Sequence, residues 1–140
     1  MYSSSKLIEP LPHLFIGFHN PPDQQFSMII NCTVDIPFQS NSNLFIRLPI
    51  RNFEQTMQHT FYNCLQRSKV IDEIHYNLLR NQSVFIYSHN ACLIIACYLI
   101  KCYKMTPVEA TKYLQKKLSL DDDYFIHVMD ILERVYTSLP

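Results

Sequence analysis

The feature that most constrains the fold is the stretch SVFIYSHNACLIIACYLIKCYKM at residues 83–105. It begins with an apolar run of strand length, passes through the polar residues Ser88, His89 and Asn90, and continues as an apolar run of helical length. A strand that is apolar at every position is typical of a parallel sheet with both faces covered. The stretch therefore predicts a buried strand that leads directly into a buried helix, which is the arrangement of α/β proteins.

Segments before this stretch extend the α/β pattern. We predict strands in HLFIGF, SMIINC and NLFIRLPI, at residues 13–18, 27–32 and 43–50, because each is short, apolar and close to a turn signal. Apolar residues from Phe61 onward follow the three-and-four spacing of an amphipathic helix, which we expect to end near Arg80.

Two further helices are predicted towards the end of the chain. The sequence TPVE at residues 106–109 has Thr as a cap, Pro at the first helical position and Glu completing a capping box. The last helix is expected to carry the aspartates of residues 121–123 at its positive end. Its apolar stripe is formed by Phe125, Val128, Met129, Leu132, Val135 and Tyr136. We therefore predict one α/β domain over residues 1–140, with a central, mostly parallel sheet of four or five strands and helices on both sides.

Composition narrows the classes of function. The chain has 140 residues, of which 48% are apolar and 17% charged, as expected for one folded domain. Twelve basic residues balance twelve acidic ones, so we expect neither nucleic acid nor an acidic membrane surface as a partner. The five cysteines are an odd number inside apolar runs, which favours reduced thiols in the cytoplasm. The longest apolar run, residues 91–100, is too short to span a membrane.

Several segments carry a resemblance to the dual-specificity phosphatase family over nearly the whole chain. IEPLPHLFIGF resembles the opening segment of that family, MIINCT its second strand, FIRLPIRN the strand before its general-acid loop, and VFIYS the strand that delivers its nucleophile. ACYLIKCYKMTPVEATKYLQKK resembles the helix pair that follows, and it is the most specific of these matches outside the catalytic loop. The resemblance implies the cysteine-phosphatase fold.

The resemblance also implies where an active site would lie. In the family, a loop of pattern H-C-x-x-G-x-x-R-[ST] supplies a thiolate nucleophile, backbone N–H groups that hold the phosphate, and an arginine that binds it through two donors. A separate aspartate protonates the leaving oxygen. All of these groups must act together for hydrolysis to occur.

This sequence departs from the pattern at each of those positions. Alignment through the strand places Tyr87 at the histidine position and Ser88 at the cysteine position. The arginine position falls on Ile94 in that alignment, or on Asn90 when the alignment is made through the helix. About four loop residues are missing, the loop glycine has no counterpart, and Asn52 stands where the general-acid aspartate is expected. We therefore predict a phosphatase fold that does not hydrolyse phosphate esters.

Other chemistry in the same residues was weighed against a structural role. His89 with Cys92 could form a nucleophile and base or two metal ligands, and Ser88 with His89 could form a hydrolase dyad. Cys92, Cys97 and Cys102 are five residues apart and do not share a helix face well, which favours a core role for the cysteine and a turn role for the histidine. Adjacent strand residues point to opposite faces and no glycine elbow surrounds Ser88, which favours a strand-end role for the serine. The prediction is that the chain has no metal site and needs no cofactor.

A protein with this fold and without these groups is predicted to act as a protein-binding or regulatory module. The alternatives are a self-assembling structural component, for example a homodimer, and an enzyme whose chemistry has moved to other residues. The candidate binding surface consists of Phe53, Tyr103, Tyr113 and Tyr124. The short segment after Gly17 and the degenerate motif suit a viral protein, which would place the chain in host cytoplasm or in a virion.

Overall fold

The structure is a computed structural model. It describes residues 8–17, 26–31, 42–47, 63, 65–66, 69–87, 91–120 and 124–138. Five strands form one sheet in the order β1-β2-β5-β3-β4. The strands are β1 Ile8–Leu11, β2 Leu14–Gly17, β3 Phe26–Asn31, β4 Ser42–Arg47 and β5 Val84–Tyr87.

The sheet is mostly parallel, as the sequence predicted. Strand β5 lies between β2 and β3 and pairs in parallel with both, and β3 pairs in parallel with β4. Only β1 runs antiparallel, joined to β2 by the tight turn at Pro12 and His13. The sequence predicted β2 but not β1, because Pro10 and Pro12 interrupt the apolar pattern there.

Asn63, Leu65 and Gln66 are helical, but Lys69, with a φ of 53°, interrupts the helix predicted from Phe61 onward. Four further helices follow in the described part of the chain. They are α1 Val70–Leu79, α2 Ala91–Tyr103, α3 Pro107–Leu118 and α4 Met129–Thr137, with a 3-10 turn at Ile126–Val128 before α4. Helix α1 ends one residue before the predicted Arg80, and α2 follows β5 at once, as predicted. The capping box of α3 is also confirmed: the Thr106 hydroxyl accepts from the Glu109 N–H at 3.2 Å, and the Thr106 N–H donates to the Glu109 carboxylate at 2.9 Å.

The predicted start of the last helix is wrong. Helix α4 begins at Met129, so the aspartates of residues 121–123 are not in its first turn, which instead contains Asp130. Phe125 and Val128 are buried as predicted, but they lie before the helix. Both residues belong to the 3-10 turn or directly precede it, and such a turn can bury apolar side chains in continuation of the helix pattern without being part of the α-helix.

Both faces of the sheet are buried. On one face, the alternate strand residues join a single core with all four helices; they are Leu14, Ile16, Met28, Ile30, Val84 and Ile86. On the opposite face, the Phe26 and Phe85 rings lie 5.2 Å apart and form a second cluster with Ile29. The sequence also predicts helices over this second face, and that prediction concerns residues outside the described ones.

Candidate functional site

The junction between β5 and α2 occupies the place where the resemblance locates a catalytic loop. Tyr87, the last residue of β5, pairs with Gly17 on one side and Asn31 on the other. These three residues end neighbouring parallel strands, so they mark the carboxyl edge of the sheet. Binding sites of open α/β sheets form along that edge.

The junction is short. Strand β5 ends at Tyr87 and helix α2 begins at Ala91, so three residues, 88–90, connect them. The family pattern requires five residues between its cysteine and its arginine, enough to curl the backbone around an oxyanion. Because α2 begins at Ala91, residues that would form such a loop are part of the helix here.

The first turn of α2 is apolar and buried. Ala91, Cys92 and Leu93 are each no more than 3% exposed. Burial raises the pKa of the Cys92 thiol, and a hydrogen bond from the Tyr124 hydroxyl lowers it by less. A nucleophilic cysteine needs the opposite, a lowered pKa and access to solvent. The geometry therefore favours a core role for Cys92.

The rest of α2 supplies no group that could bind a phosphate near the junction. Ile94, one of the two positions aligned with the family arginine, is fully buried in the core. No lysine or arginine occurs between Val84 and Ile100. The first basic residue after Val84 is Lys101, which lies in the last turn of α2. Its Nζ is 3.2 Å from the Asp72 carboxylate.

The remaining predicted positions of the degenerate site are not described by the structure. Ser88, Asn52 and Phe53 lie outside the described residues, as do His89 and Asn90. For Tyr87 the backbone is described and the side chain is not. Their proposed roles remain predictions.

The three tyrosines of the candidate binding surface do not form one patch. Tyr103 ends α2 and is 52% exposed, whereas Tyr124 is 38% exposed and bonds to Cys92 at the other end of the same helix. Eleven residues separate Cys92 from Tyr103, which is roughly 16 Å along a helix. Tyr113 is half-buried, and its hydroxyl donates to the Pro10 carbonyl at 3.2 Å. A single partner surface that included all three would have to extend across the molecule.

A pair of polar side chains that the sequence analysis did not identify joins α1 to α2. The Tyr98 hydroxyl lies 3.0 Å from His75 Nδ1. Burial, with Tyr103 and Cys102 nearby, raises the pKa of Tyr98. The available signal was the hydroxyl itself, because a tyrosine inside an otherwise apolar buried helix requires a hydrogen-bond partner.

The described residues contain neither a candidate metal site nor a candidate membrane span. Among the described residues, no three His, Cys, Asp or Glu side chains are grouped so that they could hold a metal ion. Cys92, Cys97 and Cys102 are free thiols. None of the described helices combines the length and the apolar character needed to cross a membrane.

Two comparisons of the sequence with known proteins find no match. No protein-family profile matches the chain, and no curated protein matches it in sequence. Fold assignment therefore depends on comparison of structures.

Solved structures with the same fold are phosphatases and phosphatase-like proteins. Human DUSP28 is 11% identical with a TM-score of 0.66, and the alignment covers 92% of this chain and 94% of that one. A leucine rich repeat and phosphatase domain containing protein from Entamoeba histolytica is 15% identical with a TM-score of 0.63, covering 91% and 90%. Human tyrosine phosphatase-like serine/threonine/tyrosine-interacting protein is 16% identical with a TM-score of 0.55, covering 94% and 98%. The chain has the fold of the dual-specificity phosphatases.

Proposed function

We propose that this chain is a catalytically inactive member of the dual-specificity phosphatase family and that it acts as a protein-binding module. The observation that carries the proposal is the junction between β5 and α2. Three residues connect the strand to the helix, and they contain neither a cysteine nor a glycine nor an arginine.

Phosphoryl transfer depends on this loop for positioning and for stabilisation of charge. A phosphate in the family loop is held by several backbone N–H groups and by two donors of one arginine. Removing a single donor that stabilises a developing negative charge lowers turnover by roughly 10²–10³. Here the arginine is missing at Ile94 and at Asn90, and Ser88 supplies a hydroxyl that is hardly ionised near neutral pH. Losing all of these groups together leaves no pathway for hydrolysis.

A binding role is favoured because the fold persists without the catalytic groups. The capping box of α3, the parallel strand β5 and the buried helix α2 all agree with the same architecture. Agreement between local signals and the fold is how a sequence specifies one stable structure. One of the structural neighbours is named an interacting protein and phosphatase-like, and such a role would suit this chain.

The proposal is tested by assaying hydrolysis of p-nitrophenyl phosphate and by identifying bound proteins. We expect no turnover by the natural sequence. The Ser88→Cys variant and the Ser88→Cys/Asn52→Asp variant should also be inactive, because neither restores the loop or the arginine. A dual-specificity phosphatase of established activity, assayed in parallel, serves as the positive control.

Turnover by Ser88→Cys well above that of a variant with Ala at position 88 would contradict the inactive assignment. For the binding role, the tagged chain is used in an affinity purification followed by mass spectrometry, and candidate partners are remade and titrated in pure form. A chain that is inactive and binds no purified candidate in the micromolar range would contradict the binding role. Light scattering on the same sample tests the alternative, a self-assembling component.

A further inference from the structure

A pocket lies at the amino edge of the sheet, at the opposite end from the β5–α2 junction. Its cavity volume is about 350 Å³. His13 precedes β2 and Asn81 precedes β5, which places the pocket at the start of the parallel strands. We call this the amino-edge pocket and define it by His13, His75, Leu78, Asn81, Tyr98 and Tyr103. Its volume is at the lower end of the range for small-molecule sites.

The walls of the amino-edge pocket are aromatic. The Tyr98 and Tyr103 rings are edge-on, with centroids 5.7 Å apart and an interplanar angle of 62°. The His75 ring is 5.8 Å from Tyr98 on the other side. Tyr103 is half-exposed while Tyr98 is buried, so the rings lead from the surface to the interior. A further ring placed among them would gain the edge-to-face contacts that aromatic groups prefer.

The pocket is lined mainly by apolar surface, and the polar groups that it contains carry no permanent charge. His75 Nδ1 is engaged by the Tyr98 hydroxyl, which leaves Nε2 of the same ring for a ligand. The described residues that line the pocket include no lysine, arginine, aspartate or glutamate. A purely apolar ligand would cover these polar atoms without bonding to them, and an ionic ligand would find no opposite charge.

Two residues that line the pocket, His13 and Asn81, adopt the positive φ that favours glycine, and His13 bears on the proposal. His13 has a φ of 68°, and it is held there because its N–H donates to the Glu9 carboxylate at 2.9 Å and its carbonyl accepts from the Val84 N–H at 2.9 Å. A non-glycine residue in this region costs about 1 kcal/mol or more. The histidine places an imidazole on the rim of the pocket that a glycine in the same turn would not supply.

We propose that the amino-edge pocket binds an uncharged aromatic ring that carries a hydroxyl group, that is, a phenol. The ring lies against Tyr103 and Tyr98, and the hydroxyl bonds to His75 Nε2. The phenol is either the side chain of a tyrosine in another polypeptide or a free small molecule. This site is independent of the β5–α2 junction, so it does not depend on whether the chain hydrolyses phosphate.

Titration by NMR or calorimetry with p-cresol tests the proposal, with toluene as the matched ligand that lacks the hydroxyl. We expect saturable binding of p-cresol and at least tenfold weaker binding of toluene. N-acetyl-L-tyrosinamide separates the two sources of the phenol. If N-acetyl-L-tyrosinamide binds at least as tightly as p-cresol, the natural ligand is a tyrosine side chain. If it binds more than tenfold more weakly than p-cresol, the natural ligand is a free phenol.

Two pairs of variants locate the site. Tyr103→Ala should weaken p-cresol binding at least tenfold, whereas Tyr136→Ala, at an exposed tyrosine on α4, should leave it unchanged. His13→Gly should weaken binding without loss of stability. Its control is Ser119→Gly, which relieves a similar φ of 55° away from the pocket and should leave binding unchanged. Absence of saturable p-cresol binding to the natural chain, or equal binding by Tyr103→Ala and Tyr136→Ala, would overturn the proposal.

Discussion

Tyr98 shows how much a single polar group can determine inside an apolar element. It is one of the largest fully buried side chains in the described core, and its hydroxyl joins α2 to α1 through His75. The sequence predicted that this residue would be buried, since every neighbour in the helix is apolar. It could not predict the partner, because His75 is 23 residues away and only the packing of the two helices brings the side chains together.

We expect the Tyr98→Phe substitution to destabilise the fold by about 1 kcal/mol, the typical net contribution of one hydrogen bond. The comparison variant is Tyr113→Phe, which removes a half-buried hydroxyl bonded to the Pro10 carbonyl at 3.2 Å. Urea denaturation measures both. A double-mutant cycle of Tyr98→Phe with His75→Ala should give a positive coupling energy, and strict additivity would show that the two side chains do not interact.

At the scale of helices and strands, the sequence predicted a boundary correctly where that boundary depends on residues close together in the sequence. The start of α3 was predicted correctly because its cap, Thr106, and its partner, Glu109, are three residues apart in sequence. The start of α4 was not, because the apolar pattern runs without a break through the 3-10 turn at Ile126–Val128. Strand β1 was missed since it depends on antiparallel pairing with β2, which no local pattern shows.

Because the capping box is local, its loss should be measurable without rearrangement of the core. The Thr106→Ala substitution should destabilise the protein by about 1 kcal/mol, since it removes the acceptor for the Glu109 N–H. Thr137→Ala is the control, because that exposed hydroxyl bonds only to the Arg134 carbonyl in the last turn of α4. Equal urea midpoints for the two variants would mean that the capping box contributes nothing to stability.

For the whole molecule, the sequence predicted the fold better than the site. The parallel sheet, the buried strand β5 and the helix pair after it follow from apolar periodicity and from the family resemblance, and structural neighbours share that fold. The binding surface could not be predicted in the same way. Tyr103 ends α2 and Tyr124 contacts Cys92 near its start, and the second of these positions depends on tertiary packing that no local pattern shows. The candidate binding surface stays a prediction.

Because the core contains buried thiols and phenols, the stability of the whole molecule changes with pH in the alkaline range. Burial raises the pKa of Cys97 from its ordinary value of 9.0 to about 12. Between these values the unfolded chain releases a proton that the folded chain retains, so the free energy of unfolding falls as the pH rises. The contribution of the Cys97 thiol to the free energy of unfolding is fully present below pH 9 and is lost as the pH approaches 12.

We therefore predict that urea midpoints fall between pH 9 and pH 11, and that they fall less steeply for Cys97→Ala. The variant is less stable at neutral pH because it leaves a small cavity, so the comparison concerns the slope and not the midpoint. Parallel pH profiles for the two proteins would show that Cys97 ionises as readily in the folded state as in the unfolded chain.

The central claim is that the β5–α2 junction cannot hold a phosphate, and the most direct test is a crystal soaked in tungstate, an anion with the charge and shape of phosphate. Anomalous diffraction locates the tungsten atom without reference to any assumed site. We expect no tungstate at residues 88–92, because the connection is three residues long and the first turn of α2 is apolar and buried. A tungstate ion bound by the backbone N–H groups of residues 88–92 would contradict it.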